Sequence, residues 1–321
     1  MAPKIFIDGE AGTTGLHIHR RLGARRDLAL ISIDPAQRKD AAARRDMLNS
    51  ADLVILCLPD AAAREAVQLI ESNSVRVIDA STAHRTEAGW AYGLPEMTKT
   101  QRTVIAEARR VANPGCYPTG FIALVRPLIE AGLVPTSWPV TVNAVSGYTG
   151  GGKSMIAEFE DEASPTYTRV PYRIYGLTLA HKHVPEMQVH TGLVHRPLFA
   201  PAVGRYAKGM IVEVPLQLDA LPTKPRVKDV WTALAEAYAG ELFIEVVSLA
   251  EAAELKTLDP EGLNGTNRMK LYVFSSADGM QVRLAALLDN LGKGASGAAV
   301  QNLNLMLGLR EANGLEQPLA S

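Results

Sequence analysis

Lys4-Ile5-Phe6-Ile7-Asp8-Gly9-Glu10-Ala11-Gly12-Thr13-Thr14-Gly15 is the stretch on which the fold turns. Residues 4–8 form a short apolar run of the buried-strand kind. Glycines at 9, 12 and 15 follow, then a helical pattern through Leu16, Ile18 and Leu22. A dinucleotide site needs strand, glycine turn and helix in this order. Glycines let the backbone approach a pyrophosphate, and the helix N-terminus faces its charge. Gly9, Gly12, Thr13, Thr14 and Gly15 are therefore candidate cofactor contacts. The spacing G-x-x-G-x-x-G departs from G-x-G-x-x-G, so the turn alone does not decide the matter.

Working outward, residues 28–33 read as the next strand and end at Asp34, nineteen positions after Gly15. An acid there suits the ribose hydroxyl of NAD; Gln37, Arg38 and Lys39 come shortly after it, and the two cations suit the 2′-phosphate of NADP. All of these residues equally fit a solvated turn. Residues 53–58 are an all-apolar strand closed by Pro59, with Cys57 inside it as a core residue. A helix over 61–70 and a strand over 75–79 follow, and Ser81 lies just past that strand's end, where open sheets place ligands. Residues 104–106 read as a further short strand. Near-continuous apolar strands alternating with helices imply a parallel, doubly wound sheet.

The chain has 321 residues, 47% of them hydrophobic and 21% charged, with a net charge of −1. That length calls for one large or two ordinary domains. The near-zero charge gives no electrostatic reason to expect nucleic acid or an anionic membrane. Two cysteines, Cys57 and Cys116, offer no disulfide framework and fit a reduced, cytoplasmic setting. No apolar run is long enough to span a bilayer.

Cys116 stands in Asn113-Pro114-Gly115-Cys116-Tyr117-Pro118-Thr119-Gly120, and an apolar helical run follows at once. The open amides and dipole of a helix N-terminus favour thiolate over thiol, and the thiolate is the nucleophile. A small buried hydrophobe at a helix start is an equal reading of the local sequence.

Residues 140–145 read as a strand running into a loop that matches G-x-x-x-x-G-K-[ST] through Gly147, Gly152, Lys153 and Ser154. A phosphotransferase built on it would need a magnesium-binding acid on a neighbouring strand, and no clear candidate follows. Backbone amides and a lysine ready for an anion are the more modest reading. His181-Lys182-His183-Val184-Pro185-Glu186 gathers two histidines and a carboxylate. The H-x-H spacing, with no Cys/His cluster nearby, argues against a metal site; a general acid–base with a carboxylate partner fits better. His17, His19, His84, His190 and His195 have no comparable context. Strands over 209–216 and 242–247, a helix over 230–238, and two strands around an Asp278-Gly279 turn make the second half richer in antiparallel pairing. Asn290, Gly292 and Lys293 then precede a helix of small residues, where Gly-Lys-Gly again offers amides to an anion.

Four separated motifs together resemble the N-acetyl-gamma-glutamyl-phosphate reductase family. They are residues 9–15, residues 113–119, His181 to Glu186, and Gly292-Lys293-Gly294-Ala295-Ser296-Gly297. The similarity covers nearly the whole chain, and the length matches the shorter class. The loop 146–154 departs from the longer class, which has fewer glycines and an arginine there. The resemblance implies an α/β protein: an NADP-binding Rossmann-type domain over 1–114, rejoined by 291–321, and an α+β catalytic domain with a mixed or antiparallel sheet over 115–290. It implies Cys116 as nucleophile, His181 as acid–base with His183 as the alternative, and Glu186 orienting them. The hemithioacetal would collapse with a proton from His181. Pro59, Ser81, Asn290, Gly292 and Lys293 join the cofactor contacts, and Asn113, Tyr148 and Gly151 the substrate contacts; Lys153, by inference from its charge and place rather than from the resemblance, is a partner for phosphate or carboxylate. A cytoplasmic homo-oligomer acting on an acyl phosphate or semialdehyde is expected, without metal. An aspartate-semialdehyde dehydrogenase, a phosphotransferase using residues 147–154, and a non-catalytic nucleotide sensor are the rival readings.

Overall fold

The computed structural model describes residues 2–37 and 40–316. Arg38 and Lys39, expected at the cofactor, lie outside the described residues. The chain divides into two compact units. The first comprises residues up to Pro95, Thr100–Gly115 and the stretch from Ala295; the second comprises Glu96–Lys99 and Cys116–Gly294.

In the first unit, β1 (Lys4–Asp8), α1 (Thr13–Leu22), β2 (Ala29–Ile31), α2 (Ala41–Ser50), β3 (Leu53–Leu56), α3 (Asp60–Leu69), β4 (Arg76–Asp79), β5 (Ala91–Tyr92), α4 (Gln101–Glu107) and β6 (Arg110–Ala112) follow one another. The sheet order is β2-β1-β3-β4-β6-β5, and every pair is parallel. β3 is buried along its whole length because helices cover both faces. Phe6, Val54, Leu56 and Val77 pack on one face with Leu48, Ala63 and Ala66 from α2 and α3. On the other face lie α1, α4 and the chain's last helix, Gly297–Met306. Strand order reverses at β1, between β2 and β3. In an open α/β sheet a ligand crevice lies at that switch point, beyond the carboxyl ends of the strands.

The strand expected at residues 104–106 is instead the middle of α4. Gln101 and Ile105 are buried while Val104 between them is exposed, a four-residue period that belongs to a helix. The strand falls just after it, where Val111 pairs with Ile78.

The second unit holds α5 (Cys116–Glu130), β7 (Thr141–Gly147), α6 (Gly152–Glu160), β8 (Tyr172–Ile174), α7 (Val184–Thr191), β9 (Leu198–Gly204), β10 (Met210–Gln217), α8 (Val227–Ala237), β11 (Ile244–Val246), α9 (Leu249–Glu254), β12 (Met269–Ser275) and β13 (Gln281–Leu288). Its sheet runs β11-β12-β13-β10-β7-β9-β8 and is mixed: β7/β9 and β11/β12 are parallel and the other pairs antiparallel. Helix α5 lies flat on this sheet. A Cβ at Gly120 would sit 3.0 Å from Val212 Cγ2 and 3.2 Å from Ala286 Cβ. Phe121, Leu124 and Leu128 are fully buried, each contributing about 1.5–3 kcal/mol of hydrophobic stabilisation.

Candidate active site

Cys116 is the first residue of α5 and is half-buried. The apolar length of α5 anchors the helix, so its N-terminal amides and positive dipole end are fixed at the sulfur. Gly294 closes on the same residue from the other side: a Cβ there would lie 2.7 Å from Cys116 Cβ.

Tyr117, one residue on, is the hub of an aromatic group. Its ring meets His181 at 6.0 Å, His183 at 5.8 Å and Phe199 at 5.1 Å between centroids. Its hydroxyl donates to the Ala202 carbonyl at 3.3 Å and accepts from the Tyr175 hydroxyl at 2.9 Å. Burial pushes the Tyr117 hydroxyl well above the usual phenol range, with Tyr175 and Cys116 adding to it. Burial likewise pushes Tyr175 up to about 12. Both phenols are therefore neutral hydrogen-bond donors at neutral pH.

His181 sits among Tyr117, Tyr175, Phe199 and His183. Its Nδ1 accepts the His183 backbone N–H at 3.1 Å, which assigns the proton of the neutral ring to Nε2. Burial, and then the Lys182 ammonium, lower it to about 4. At neutral pH this ring is a proton acceptor. His183 is the N-cap of α7 and is 7% exposed; Glu186, in the first turn of α7, is 1% exposed. The structure thus brings Tyr117, next to Cys116, together with both histidines. Tyr117, Tyr175 and Phe199 were not singled out from sequence. Their only signal is aromatic spacing, which core residues share.

In the first unit, Gly9 has φ of +88°, and a Cβ there would lie 2.3 Å from the Cys57 carbonyl oxygen. A Cβ at Gly15 would lie 2.4 Å from the Gly9 oxygen. The turn is thus drawn tightly against β3 and α1. Gly12 is the N-cap of α1 and makes no side-chain cap, so the turn leaves the helix amides to an incoming anion. Thr13 and Thr14 are half-buried in the first turn. A compact glycine turn, an uncapped helix start and a switch point fit a dinucleotide pyrophosphate. Asp34 is exposed and accepts the Ala36 N–H at 2.8 Å; Pro59 is the exposed N-cap of α3. Burial pushes the Cys57 thiol up to about 12, as befits a structural cysteine.

Ser81 donates to Asp79 Oδ2 at 2.7 Å, and His84 Nδ1 lies 2.6 Å from the same oxygen. The His84 ring stacks on Trp90 at 4.1 Å. Sequence reasoning passed over His84; an acid ending an apolar strand five residues before it was the available signal.

Other expected contacts are committed inside the protein. Asn113 is 1% exposed, donates to the Ala295 carbonyl at 3.0 Å and accepts from Asn302 at 3.1 Å. Asn290 accepts the Gly209 N–H at 2.8 Å and donates to Thr149 Oγ1 at 3.2 Å. Tyr148 donates to Glu160 at 2.8 Å and stacks on Phe159. The loop matching a nucleotide cradle is a 3₁₀ turn, Tyr148–Gly151, running straight into α6. Gly151 and Lys153 are exposed on it. Lys293, read as an anion contact, is wholly buried with its ammonium 2.7 Å and 2.9 Å from the two Glu96 oxygens. Among the described residues, no three His, Cys, Asp or Glu side chains could hold a metal ion, and no helix is long and apolar enough to cross a membrane.

Comparison with known proteins places this architecture. Residues 11–105 match the semialdehyde dehydrogenase NAD-binding domain and residues 116–290 the semialdehyde dehydrogenase dimerisation domain. An aspartate semialdehyde dehydrogenase II from Vibrio cholerae has the same fold, with a TM-score of 0.68 at 13% identity over 96% of this chain and 99% of that one. The class is therefore that of the semialdehyde dehydrogenases. Two curated relatives are much nearer in sequence, both called N-acetyl-gamma-glutamyl-phosphate reductase. That of Sinorhizobium medicae (strain WSM419) is 58% identical over 308 residues, covering 96% of this chain and 99% of the relative. That of Brucella ovis is 60% identical over 309 residues, covering 96% and 100%. The chain belongs to the N-acetyl-gamma-glutamyl-phosphate reductase family.

Proposed function

We propose that this chain reduces N-acetyl-gamma-glutamyl phosphate to N-acetylglutamate 5-semialdehyde with NADPH, releasing phosphate, as a step of arginine biosynthesis. The observation that carries the site assignment is the half-buried Cys116 at the start of α5, beside a tyrosine packed on both His181 and His183.

Neutral His181 takes the thiol proton of Cys116. The thiolate attacks the acyl carbon, the carbon–oxygen bond to phosphate breaks, and phosphate leaves with the proton that His181 carried. Amides of the first turn of α5 hold the oxyanion. Gly9, Gly12 and the first turn of α1 would hold the pyrophosphate of NADPH, whose nicotinamide would supply the hydride that the thioester carbon needs. As the carbon–sulfur bond of the hemithioacetal breaks, the aldehyde forms and Cys116 returns as thiolate, taking up one proton by way of His181. One proton is consumed overall. Passing through a thioester splits one difficult reduction into two easier steps. Glu186 orients the histidine pair from α7. Lys153, exposed in the first turn of α6, is the cation for the substrate's carboxylate. The enzyme works in the cytoplasm as a homo-oligomer assembled through residues 116–290.

The reverse reaction tests the assignment. With N-acetylglutamate semialdehyde and NADP, reduced nicotinamide is expected only when phosphate is supplied. A preference for aspartate semialdehyde would hand the chain to the aspartate enzymes instead. The pH dependence tests His181. Its pKa is lowered in the fold, so its base form persists down to about 4, whereas the unfolded chain takes up the proton already near 6.5; the stability tied to the neutral ring is full above 6.5 and declines as pH falls towards about 4. His181→Asn is expected to lower kcat about 10²-fold or more while sparing NADP affinity. Lys182→Gln should move the acid limb of the rate profile upward. A loss confined to His183→Asn would make His183 the base.

A further inference from the structure

The side chains of Glu96 and Lys293 are both 0% exposed, and they form a two-pronged ion pair at 2.7 Å and 2.9 Å. The Lys293 ammonium also lies 5.7 Å from the centre of the Phe243 ring. Two charges taken out of water are weak stabilisers; such pairs are best attested as devices that fix a register. The register here is unusual. Lys293 lies in a π-helical turn, Gly292–Ser296, which carries more residues per turn than an α-helix. Relaxing it to α geometry would rotate the side chains by about 100° for each residue dropped.

The residues flanking Lys293 show why that rotation matters. A Cβ at Gly292 would lie 2.0 Å from the Thr266 carbonyl oxygen, and one at Gly294 lies 2.7 Å from Cys116 Cβ and 3.2 Å from its Cα. Only backbone fits at either point. A slip by one residue would drive the Lys293 or Ala295 side chain into Cys116. Gly294 N–H donates to the Asp289 carbonyl at 3.0 Å, and Asp289 is itself held, its carboxylate accepting from Gly265 and Leu291 N–H. Lys293 is the one residue of Gly-Lys-Gly with a side chain able to lock the turn.

We propose that the Glu96–Lys293 pair is a positioning device for the reaction: it holds the π-turn in the register that seats Gly294 on Cys116, and so sets where the thiol stands at the N-terminus of α5. This rests on Cys116 being the nucleophile. Neither Glu96 nor Lys293 touches substrate in this account; both act through Gly294.

The test uses the full chain and two replacements. Glu96→Gln keeps shape and hydrogen bonding but removes the charge. Glu96→Leu with Lys293→Met replaces the pair by apolar side chains of similar size, a change that buried ion pairs commonly tolerate without loss of stability. Iodoacetamide alkylation of Cys116 is followed peptide by peptide from mildly acidic to mildly alkaline pH, with Cys57 as internal reference and thermal unfolding alongside. In folded protein, alkylation and kcat are expected to fall together by about tenfold to a hundredfold, with KM nearly unchanged. Wild-type alkylation and kcat in either folded variant would overturn the proposal. A wild-type Cys116 that alkylates no faster than free cysteine would overturn the nucleophile assignment instead, so the two failures are distinguishable.

Discussion

Cys116→Ala is expected to abolish reduction of the acyl phosphate, by about 10⁴-fold or more, while NADP still binds. The replacement removes one sulfur from a half-buried position at the edge of the core, on a helix anchored mainly by the fully buried Phe121, Leu124 and Leu128. Folding should therefore be nearly unaffected. What is lost is the covalent stage: without a thioester, hydride must reach the acyl phosphate directly. Two measurements check this. Steady-state nicotinamide oxidation should vanish, and a mass increase from the acylated cysteine, seen in the wild type on mixing with substrate without NADPH, should be absent. Turnover within tenfold of wild type would sink the assignment.

The second large effect separates two glycines of the first turn. A Cβ at Gly15 would lie 2.4 Å from the Gly9 oxygen and 2.8 Å from Glu10 Cα, both backbone atoms. Nothing flexible can give way, so α1 must shift off the turn. Gly15→Ala should cost at least the 1–3 kcal/mol typical of overpacking, read as a lower melting temperature, and weaken NADP as well. Gly12 differs. Its φ of −75° suits any residue, and a Cβ there has the Gly9 oxygen at 3.3 Å and the Cys57 oxygen at 3.8 Å. Gly12→Ala should therefore cost far less stability than Gly15→Ala while weakening NADP, because the methyl group would occupy the approach of the pyrophosphate. Equal melting and equal NADP affinity in both variants would remove the turn from the cofactor site.

The sequence was most legible where local pattern and tertiary structure agree. The apolar run of β1, the hairpin at Asp278-Gly279 and the helix opening at Cys116 all follow from spacing alone. Reading failed where a residue's meaning depends on distant partners. Leu198–Gly204 holds Pro201, which argues against an interior strand. Yet β9 lies between β7 and β8, because β8 is only three residues long and the Pro201 carbonyl still accepts the Tyr175 N–H. Gly-Lys-Gly was legible as special but not for the right cause. Its glycines answer to Thr266 and Cys116, and its lysine to a glutamate 197 positions earlier. The site was legible to the same degree. Cys116 and the His181–Glu186 group stand out by residue type, whereas Tyr117 and Tyr175 acquire meaning only once β9 and α7 are in place.

The order in which the chain is made bears on the first unit. Its parallel sheet is complete once β6 has left the ribosome, but the helix Gly297–Met306 that covers one face follows only after the whole second unit. Asn302 of that helix closes on the Gly93 carbonyl, 209 positions earlier, and on Asn113. Until then α1 and α4 stand on that face without the helix that packs between them and the sheet, and the closing contacts are among the most non-local in the molecule. Non-local closure of this kind slows folding and prolongs exposure to aggregation. The first unit must therefore hold its sheet in solution, short of its last covering helix, through the synthesis of an entire second domain.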